Sequence, residues 1–359
     1  MNKSLIAIMS GAAAVLGLAS CQNQEQLFPD FEYQTIYFAT QAPVQSITLG
    51  EDGEYDVTWD NEHRFVIYAT MGGVNSNKSN RWAAYVIDNS LVEGLEYVDG
   101  TPVKALPASH YQITSDPKRI YINKGSVMGG IDIKLTDAFF ADPEAVDVCY
   151  VIPVRLTAAS DSILSGTLKE GFEPNILDAS AWDVLPRNYT LYGIKYKNQW
   201  HGTWLSRGEV TKDGVTTKHE DSQGWWENEE IHYLTSKSLN QCHYVQENAI
   251  TITNADGTLG EANPSVDVIL TIANDGTISF STETEGATVT GSGKYTYHGA
   301  GQAWGALERD KMELDFTYTV PYVANLATGE TATLTVSVKE TLVSRDRQSK
   351  FETFEYVIK

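Results

Sequence analysis

The sequence predicts an all-β protein of two domains, and three observations indicate this class. Apolar residues recur at every second position in many short segments, which is the period of a strand with one buried face. Turn-forming Gly, Pro, Asn and Asp separate these segments. The chain has 359 residues, more than one hydrophobic core usually serves. We expect an N-terminal immunoglobulin-like sandwich followed by a second antiparallel β-sandwich or an up-and-down barrel.

The N-terminus carries an apolar run from Leu5 to Leu18 behind a single cation at Lys3. Such a run is too short to cross a bilayer whose hydrocarbon core is roughly 30 Å thick. It therefore predicts a removable export signal over residues 1–20 rather than a transmembrane helix.

The sequence Leu18-Ala19-Ser20-Cys21 ends this run. It resembles the lipobox of bacterial lipoproteins, in which the cysteine is acylated and becomes the new N-terminus. The resemblance implies lipidation of Cys21 and anchoring to a membrane, since two or more lipid chains hold a protein stably on a bilayer. The alternative is a free cysteine in an ordinary cleaved signal. The polar residues 21–35 are expected to form an acylated tether.

Residues 36–160 contain about seven short strand patterns, which fits an immunoglobulin-like sandwich. The clearest is 148–156, where every second residue is apolar. Pro153 inside it indicates an edge strand or a bulge, because proline cannot donate to the ladder. A brief helix is expected around Asp137 to Ala141. Residues 161–188 lose this regularity and are predicted to be a linker.

Residues 189–359 form the second predicted domain. Its clearest unit is Asn274-Asp275-Gly276 between two alternating apolar runs, which predicts a β-hairpin because glycine adopts positive φ without steric cost. The run Lys311 to Val320 places five apolar residues on one face, namely Met312, Leu314, Phe316, Tyr318 and Val320. The pattern leaves a barrel and a sandwich both open.

The charge balance disfavours one class of ligand. The chain has 47 acidic and 26 basic residues, a net charge of −21, which repels nucleic acid and anionic headgroups. Besides Cys21 there are only Cys149 and Cys242, too few for a disulfide framework or a cysteine zinc site. We expect both to be small buried side chains.

No catalytic signature is complete. Gly291-Ser292-Gly293-Lys294 departs from a phosphate loop, with Thr288 at the first glycine position and Tyr295 at the metal-binding hydroxyl, and is predicted to be a hairpin turn. His219-Glu220-Asp221 and His232 have no zinc-site spacing, although they can converge in space. We predict no catalytic residue, no cofactor and no metal. A hydrolase with a distant carboxylate pair remains a further alternative.

Aromatic residues give the positive signal. Six of the eight tryptophans lie between Trp182 and Trp304. Sugar rings present apolar faces flanked by hydroxyls, so their sites combine an exposed flat ring with Asn, Gln, Asp or Glu. Trp200 and Trp204, four residues apart on one expected strand, are predicted to pack in the core. If the Trp225-Trp226 pair is extended, one of its two rings must point away from the core.

These observations predict a carbohydrate-binding site in the second domain. Its members are Trp225, Trp226, Trp304, Tyr297, Gln223 and Asn228. The alternative is that the tryptophans belong to the core of the domain.

The segment Leu135 to Phe140, leading into Tyr150 to Leu156, joins the lipobox and the two-domain plan in resembling Bacteroidetes surface lipoproteins encoded in glycan-utilisation loci. The resemblance implies a non-enzymatic protein on the outer membrane, facing the cell exterior. Its implied partners are a glycan, the membrane through the N-terminal lipid, and a porin-type importer with its partner lipoprotein, with no nucleic acid. The alternative from another class is a structural or adhesive lipoprotein that binds protein partners.

Overall fold

The structure, a computed structural model, describes residues 30–31 and 33–359. The export signal and Cys21 lie outside the described residues. Up to residue 197 the strands are β1 (Thr35–Tyr37), β2 (Pro43–Thr48), β3 (Arg64–Gly72), β4 (Arg81–Ile87), β5 (Leu95–Tyr97), β6 (Lys104–Ala105), β7 (Tyr111–Ile113), β8 (Arg119–Ile122), β9 (Met128–Leu135), β10 (Tyr150–Ala159), β11 (Ser162–Ile163), β12 (Thr167–Leu168), β13 (Trp182–Val184) and β14 (Tyr189–Lys197).

The strands beyond residue 197 are longer. They are β15 (Gly202–Lys212), β16 (Val215–His219), β17 (Glu230–Ser238), β18 (Gln241–Glu247), β19 (Ile250–Thr253), β20 (Leu259–Ala262), β21 (Ser265–Ile272), β22 (Thr277–Thr282), β23 (Thr288–Trp304), β24 (Leu307–Asn325), β25 (Glu330–Asp346), β26 (Glu352–Thr353) and β27 (Tyr356–Ile358).

Helical structure is brief within the described residues. The α-helices are α1 (Thr58–Asn61) and α2 (Asp137–Ala141), and the 3-10 turns are Asn89–Val92, Pro143–Val146, Ala179–Ala181 and Trp226–Asn228. The expected helix at Asp137 is thus confirmed. No helix in this part of the chain combines the length and the apolar character needed to cross a membrane.

Two facing sheets form the first domain. One has the order β11-β1-β3-β9-β7 and the other the order β26-β2-β14-β10-β4-β8. Ile67 and Ile131 of the first sheet share one fully buried core with Ile152 and Ile194 of the second. The alternating apolar residues of both sheets therefore point into a single layer, which is a β-sandwich.

Strand β10 is an interior strand, paired with both β14 and β4, so the edge alternative for Pro153 is wrong. A bulge does occur in β10, but the register shift lies between Leu156 and Ala158 rather than at Pro153. Pro153 is tolerated because the residue opposite it, Asp88, lies just beyond the end of β4. There the Asp88 N–H donates to the Pro153 carbonyl at 2.8 Å, and no ladder donor is required.

The boundary between the domains differs from the predicted one. Strand β14, expected to open the second domain, lies between β10 and β2 in the sandwich. Strand β11, within the predicted linker, pairs with β1, and the C-terminal strands β26 and β27 return to β2 and β5. Tyr189 and Leu191 of β14 fill a small apolar cluster on the outer face of this sheet. That burial ties β14 to the first domain.

The second domain is a closed ring of eight antiparallel strands. The order is β15-β17-β18-β21-β22-β23-β24-β25, and β25 pairs again with β15. Since chain neighbours are also neighbours in the ring, this is an up-and-down barrel, which settles the alternative that the sequence left open. The Asp275-Gly276 hairpin joins β21 to β22 as predicted.

The interior of the barrel follows the predicted alternation. The five apolar residues of β24 from Met312 to Val320 are all buried. Trp200 and Trp204 are 5% and 2% exposed, which confirms that both belong to the core.

The Gly291–Lys294 segment lies inside β23, so its prediction as a hairpin turn is wrong. A Cβ on Gly291 would lie 2.4 Å from the Asp315 carbonyl oxygen, and one on Gly208 would lie 2.2 Å from that of Lys339. The glycines are needed because neighbouring strands approach too closely here for a side chain.

Arg347 joins the two domains. Its guanidinium donates to the carbonyl oxygens of Leu49, Asn198 and Gln199. The three carbonyls come from the sandwich and from the segment between β14 and β15. One side chain thus fixes the start of the barrel against the end of the sandwich.

Candidate functional site

The loop between β16 and β17 carries four of the predicted site residues. Trp225 is 55% exposed, and Gln223 and Asn228 are exposed as well. Asp221 organises the loop, because its Oδ2 accepts from the backbone N–H groups of Gln223 at 3.0 Å and Trp225 at 2.9 Å. The Trp225 N–H is the main reason that the pKa of Asp221 lies below its usual range. The loop therefore holds Trp225 outward through its backbone.

Trp226 follows in a 3-10 turn and is half-buried. The guanidinium carbon of Arg207 lies 4.2 Å from its ring centroid, which is a cation–π contact. Arg207 Nε also donates at 2.6 Å to Glu229 Oε1, and the Glu229 side chain is only 2% exposed. A buried carboxylate thus fixes the cation on which the Trp226 ring rests.

An open recess of about 600 Å³ lies on the outer face of the barrel, and Arg207 is part of its wall. We call this recess the outer groove. It follows β15, β23, β24 and β25 and is bounded by the end of β16. Its charged lining residues are Arg207, Lys218, Lys294, Lys339, Glu209, Glu220, Glu313, Asp315 and the buried Glu340.

The four cations balance the four acids at the surface of the groove, in contrast to the chain as a whole, and the fifth acid, Glu340, is only 4% exposed. The groove therefore offers many hydrogen-bond donors and acceptors without a strong net field. Such a surface suits a polar ligand that carries no charge.

Tyr297 lies on a different part of the barrel, near the sandwich. Its hydroxyl bonds to Glu51, and its ring stacks on His298 with centroids 3.9 Å apart. His298 Nε2 lies 3.0 Å from Glu51, and the hydrogen bond that Tyr297 donates to Glu51 raises the pKa of Tyr297 to about 12. Tyr297, although 55% exposed, thus serves first as a contact between the domains.

A second recess, of about 370 Å³, lies beside this contact. Glu51 of the sandwich lines it together with His298, Arg309, Asp310 and Arg347 of the barrel. His298 has φ of 48°, and Gln302 and Ala306 nearby are also left-handed. The hairpin tip between β23 and β24 is therefore irregular in backbone at the domain junction.

Trp304 ends strand β23 and pairs with Leu307 across the hairpin tip. Its side chain is outside the described part of the structure. The 3-10 turn Trp226–Asn228 lies within 8 Å, between Cα atoms, of residues in β23. The structure therefore brings the Trp225-Trp226 loop to the strand that carries Tyr297 and Trp304, whereas the Tyr297 ring itself turns to Glu51.

Two residues that organise this site, Arg207 and Glu229, were not predicted from the sequence. Glu229 directly follows the aromatic loop, but its partner Arg207 lies on β15, and only the fold brings the two together. The alternating outward charges of β15, Arg207 and Glu209, were the one available signal, since consecutive odd positions of a strand share a face.

Cys149 and Cys242 are both free. Cys242 is fully buried, as expected of a small core side chain, whereas Cys149 is only half-buried, so the prediction is wrong for it. Across residues 30–31 and 33–359, no three His, Cys, Asp or Glu side chains are grouped closely enough to hold a metal ion. His219 and His232 do approach a common residue, Glu340, but through two hydroxyl groups.

The fold and the groove define a class of two-domain all-β proteins with a sandwich and a barrel. A family model described as "Domain of unknown function (DUF5627)" matches residues 199–348, which is the barrel. A second model, described as a "-like, N-terminal domain", matches residues 31–163 of the sandwich. None of the curated proteins matches the chain.

Solved structures extend the comparison to the whole chain. A crystal structure of a Bacteroides ovatus protein of unknown function is 34% identical, with a TM-score of 0.75, and the match covers 92% of this chain and 100% of that one. Two further Bacteroides ovatus structures are 10% identical. One is of unknown function, with a TM-score of 0.42 over 90% of this chain and 100% of its own. The other is a multidomain protein including DUF1735, with a TM-score of 0.44 over 89% and 97%.

The chain belongs to the family of the first of these Bacteroides ovatus proteins.

Proposed function

We propose that the protein binds a neutral oligosaccharide or polysaccharide at the cell surface, without catalysis, and is held to the outer membrane by a lipid on Cys21. The observation that carries this proposal is the exposed ring of Trp225 on a loop that contacts Arg207 in the wall of the outer groove. An exposed aromatic ring next to paired donors and acceptors matches the apolar faces and hydroxyl rims of sugars.

The Arg207–Trp226 contact supports the proposal by its position. Trp226 is fixed on Arg207, and Arg207 lines the groove, so the loop that presents Trp225 is anchored to the groove wall. A preformed platform binds with less loss of conformational entropy than a mobile one. The balanced charge of the groove favours a neutral sugar over a uronate or a phosphorylated ligand.

The test is a glycan-array screen of residues 22–359, followed by calorimetry on the glycans that bind. We expect Trp225→Ala to reduce affinity at least tenfold, which corresponds to about 1.4 kcal/mol. An unchanged affinity in this variant would remove the Trp225 platform from the proposal, and the absence of any glycan ligand would contradict it as a whole.

Trp59→Ala is the matched control. Trp59 lies on the sandwich, is 46% exposed, and has the Arg64 guanidinium carbon 4.8 Å from its ring centroid. It therefore matches Trp225 in exposure and lies away from the barrel. Loss of binding in Trp59→Ala to the same degree would indicate a nonspecific effect of removing a surface ring.

The anchor is tested separately. Metabolic labelling with palmitate should mark the wild-type chain in the membrane fraction and leave Cys21→Ser unlabelled, because the thiol is the acylated group in lipoproteins of this kind. Protease treatment of whole cells then reports exposure on the exterior. Equal labelling of the two chains would exclude Cys21 as the lipid site.

A further inference from the structure

The wall of the barrel is split between β17 and β18. Strand β17 begins at Glu230 and β18 ends at Glu247, yet the two strands pair only from their connecting turn as far as Thr235 opposite His243. Beyond that point β17 remains paired with β15, and β18 with β21, so both strands keep their places in the ring. The result is a cleft of about 390 Å³ between two diverging strands.

A buried carboxylate lies behind the cleft. Glu340 is 4% exposed, and its Oε1 accepts from the Tyr244 hydroxyl at 2.7 Å. The Ser206 hydroxyl donates at 2.7 Å to the other oxygen of Glu340. Each hydroxyl is in turn close to a histidine, Tyr244 to His232 Nδ1 at 2.6 Å and Ser206 to His219 Nε2 at 3.1 Å.

These contacts fix the proton on His232. A tyrosine hydroxyl has one proton, and Tyr244 gives it to Glu340, so the facing nitrogen of His232 must be the donor. Burial, together with the charge of Glu340, raises the pKa of Tyr244 well above its usual range, which keeps that proton in place. In its neutral form, His232 therefore carries hydrogen on Nδ1 and has an acceptor at Nε2.

The acceptor at Nε2 of His232 lies 3.8 Å from a carboxylate oxygen of Glu230, too far for a hydrogen bond. Both residues line the cleft. Among the described residues no side chain or backbone N–H donates to either of these two acceptors, and a ligand that brings hydroxyl groups would donate to both. Glu247 at the same cleft adds a further acceptor and makes the site unfavourable for anions.

The rim of the cleft adds an apolar surface. Tyr233 is 57% exposed and Val245 is 56% exposed, one on each diverging strand. An exposed flat ring beside acceptors is the same combination that favours sugar binding at the outer groove. This cleft is formed by different strands and shares no lining residue with that groove, although Glu340, which lies behind the cleft, also borders the groove.

We propose that the cleft between β17 and β18 is a second ligand site, which binds a neutral, hydroxyl-bearing ligand such as the end of a sugar chain. His232 Nε2 and Glu230 accept from its hydroxyls, and Tyr233 contacts its apolar face. Tyr244 and Glu340 are positioning residues, which keep the acceptor nitrogen of His232 facing the ligand. The assignment of sugars as the ligand rests on the proposed function.

The test is imidazole nitrogen NMR of residues 22–359 titrated with cellobiose, maltose, lactose and, as a cationic donor, methylammonium. We expect His232 to show the Nδ1–H tautomer before addition, and a saturable shift of Nε2 with at least one disaccharide. Tyr244→Phe should abolish the tautomer preference and weaken disaccharide binding about tenfold. Tyr233→Ala, a surface change that leaves the barrel folded, should weaken binding without altering the tautomer.

Each outcome decides between the two sites. A His232 shift that persists in Trp225→Ala and falls in Tyr233→Ala supports the cleft even if the outer groove binds nothing. Disaccharide binding that depends on Trp225 alone, with His232 unperturbed, supports the groove and overturns the cleft. A response to methylammonium but to no disaccharide, or an Nε2–H tautomer in the wild type, also overturns the proposal.

Discussion

The two domains bury strands with the same alternation, but they differ in their buried acidic residues. The sandwich core is a continuous apolar layer around residues such as Ile67 and Ile152. Among the described residues, Glu229 and Glu340 are the acids less than a tenth exposed, and both lie in the barrel domain, whereas Asp60 of the sandwich is only partly buried. One supports Arg207 at the outer groove, and the other orders the protons behind the cleft.

This difference indicates a division of labour. Taking a charge out of water costs several kcal/mol, and apolar residues of the same volume are often equally stable in its place. Among the described residues, the sandwich core forms without a carboxylate as buried as these two. One buried carboxylate bonds to Arg207 and the other to the Tyr244 hydroxyl that contacts His232, which supports the proposal that the ligand sites lie in the barrel.

The largest effect on the contrast between the two domains is expected from Glu340→Ala, which removes a buried carboxylate from the barrel. We expect it to lower the free energy of unfolding by about 3 kcal/mol, since it leaves the Tyr244 and Ser206 hydroxyls without their acceptor and opens a cavity. Urea titration followed by tryptophan fluorescence measures this, because Trp200 and Trp204 report on the barrel core. Glu340→Gln, which keeps an acceptor oxygen, should lose less. Equal losses in both variants would mean that the charge itself, rather than the hydrogen bonds, stabilises the barrel.

A smaller effect is expected where the domains meet. Arg347→Met removes donors to three carbonyl groups, and we expect a loss of about 2 kcal/mol. The same change should separate unfolding of the sandwich from unfolding of the barrel, giving two calorimetric transitions. A single transition at a lower temperature would show that the remaining contacts, such as Glu51 with His298, are enough to couple the domains.

A fall in pH should change the stability of the two domains in opposite directions, because one group in each domain has a shifted pKa. Burial lowers the pKa of His201 in the barrel to about 3, so the unfolded chain binds this proton first and stability is lost as the pH falls from about 6.5. Burial raises the pKa of Asp60 in the sandwich to about 6, so its folded form binds the proton first and stability is gained as the pH falls through 6 toward about 4.

Variants separate these two contributions. Between pH 7 and 5.5 the His201 term amounts to a loss of about 1 kcal/mol, which His201→Gln should remove from the pH profile of unfolding. Asp60→Asn should remove the opposing gain. If His201→Gln leaves the profile unchanged between these pH values, the imidazole is accessible to protons in the folded state.

Sequence reasoning was most successful where one side chain pattern decides the structure. Alternation placed Trp204 and the five apolar residues of β24 in the core, because a strand with one buried face fixes every second residue. It failed at Gly291, since a glycine required by close strands has the same sequence appearance as one in a turn. The β14 boundary was missed because its pairing partners, β10 and β2, are set by contacts distant in sequence.

For the candidate site, exposure of an aromatic pair was predictable but its supporting contacts were not. The sequence indicated that one ring of Trp225 and Trp226 would face outward if the pair were extended. Trp225 is exposed, although Trp226 begins a 3-10 turn rather than continuing a strand. It did not indicate Arg207, which reaches Trp226 from another strand. The split between β17 and β18 could not be predicted from the sequence either, because both segments have ordinary strand composition. Only the divergence of the two strands in the fold forms the cleft.

The smallest expected effect distinguishes the two adjacent tryptophans. Trp225→Ala should change the free energy of unfolding by no more than about 0.5 kcal/mol, because a surface ring contributes little to stability. Trp226→Ala should cost about 1 kcal/mol, since it removes the ring on which Arg207 rests. Urea titrations of both variants, combined with glycan affinity, separate ligand contact from support. A larger loss of stability in Trp225→Ala than in Trp226→Ala would reverse these roles and assign Trp225 to the packing of the loop.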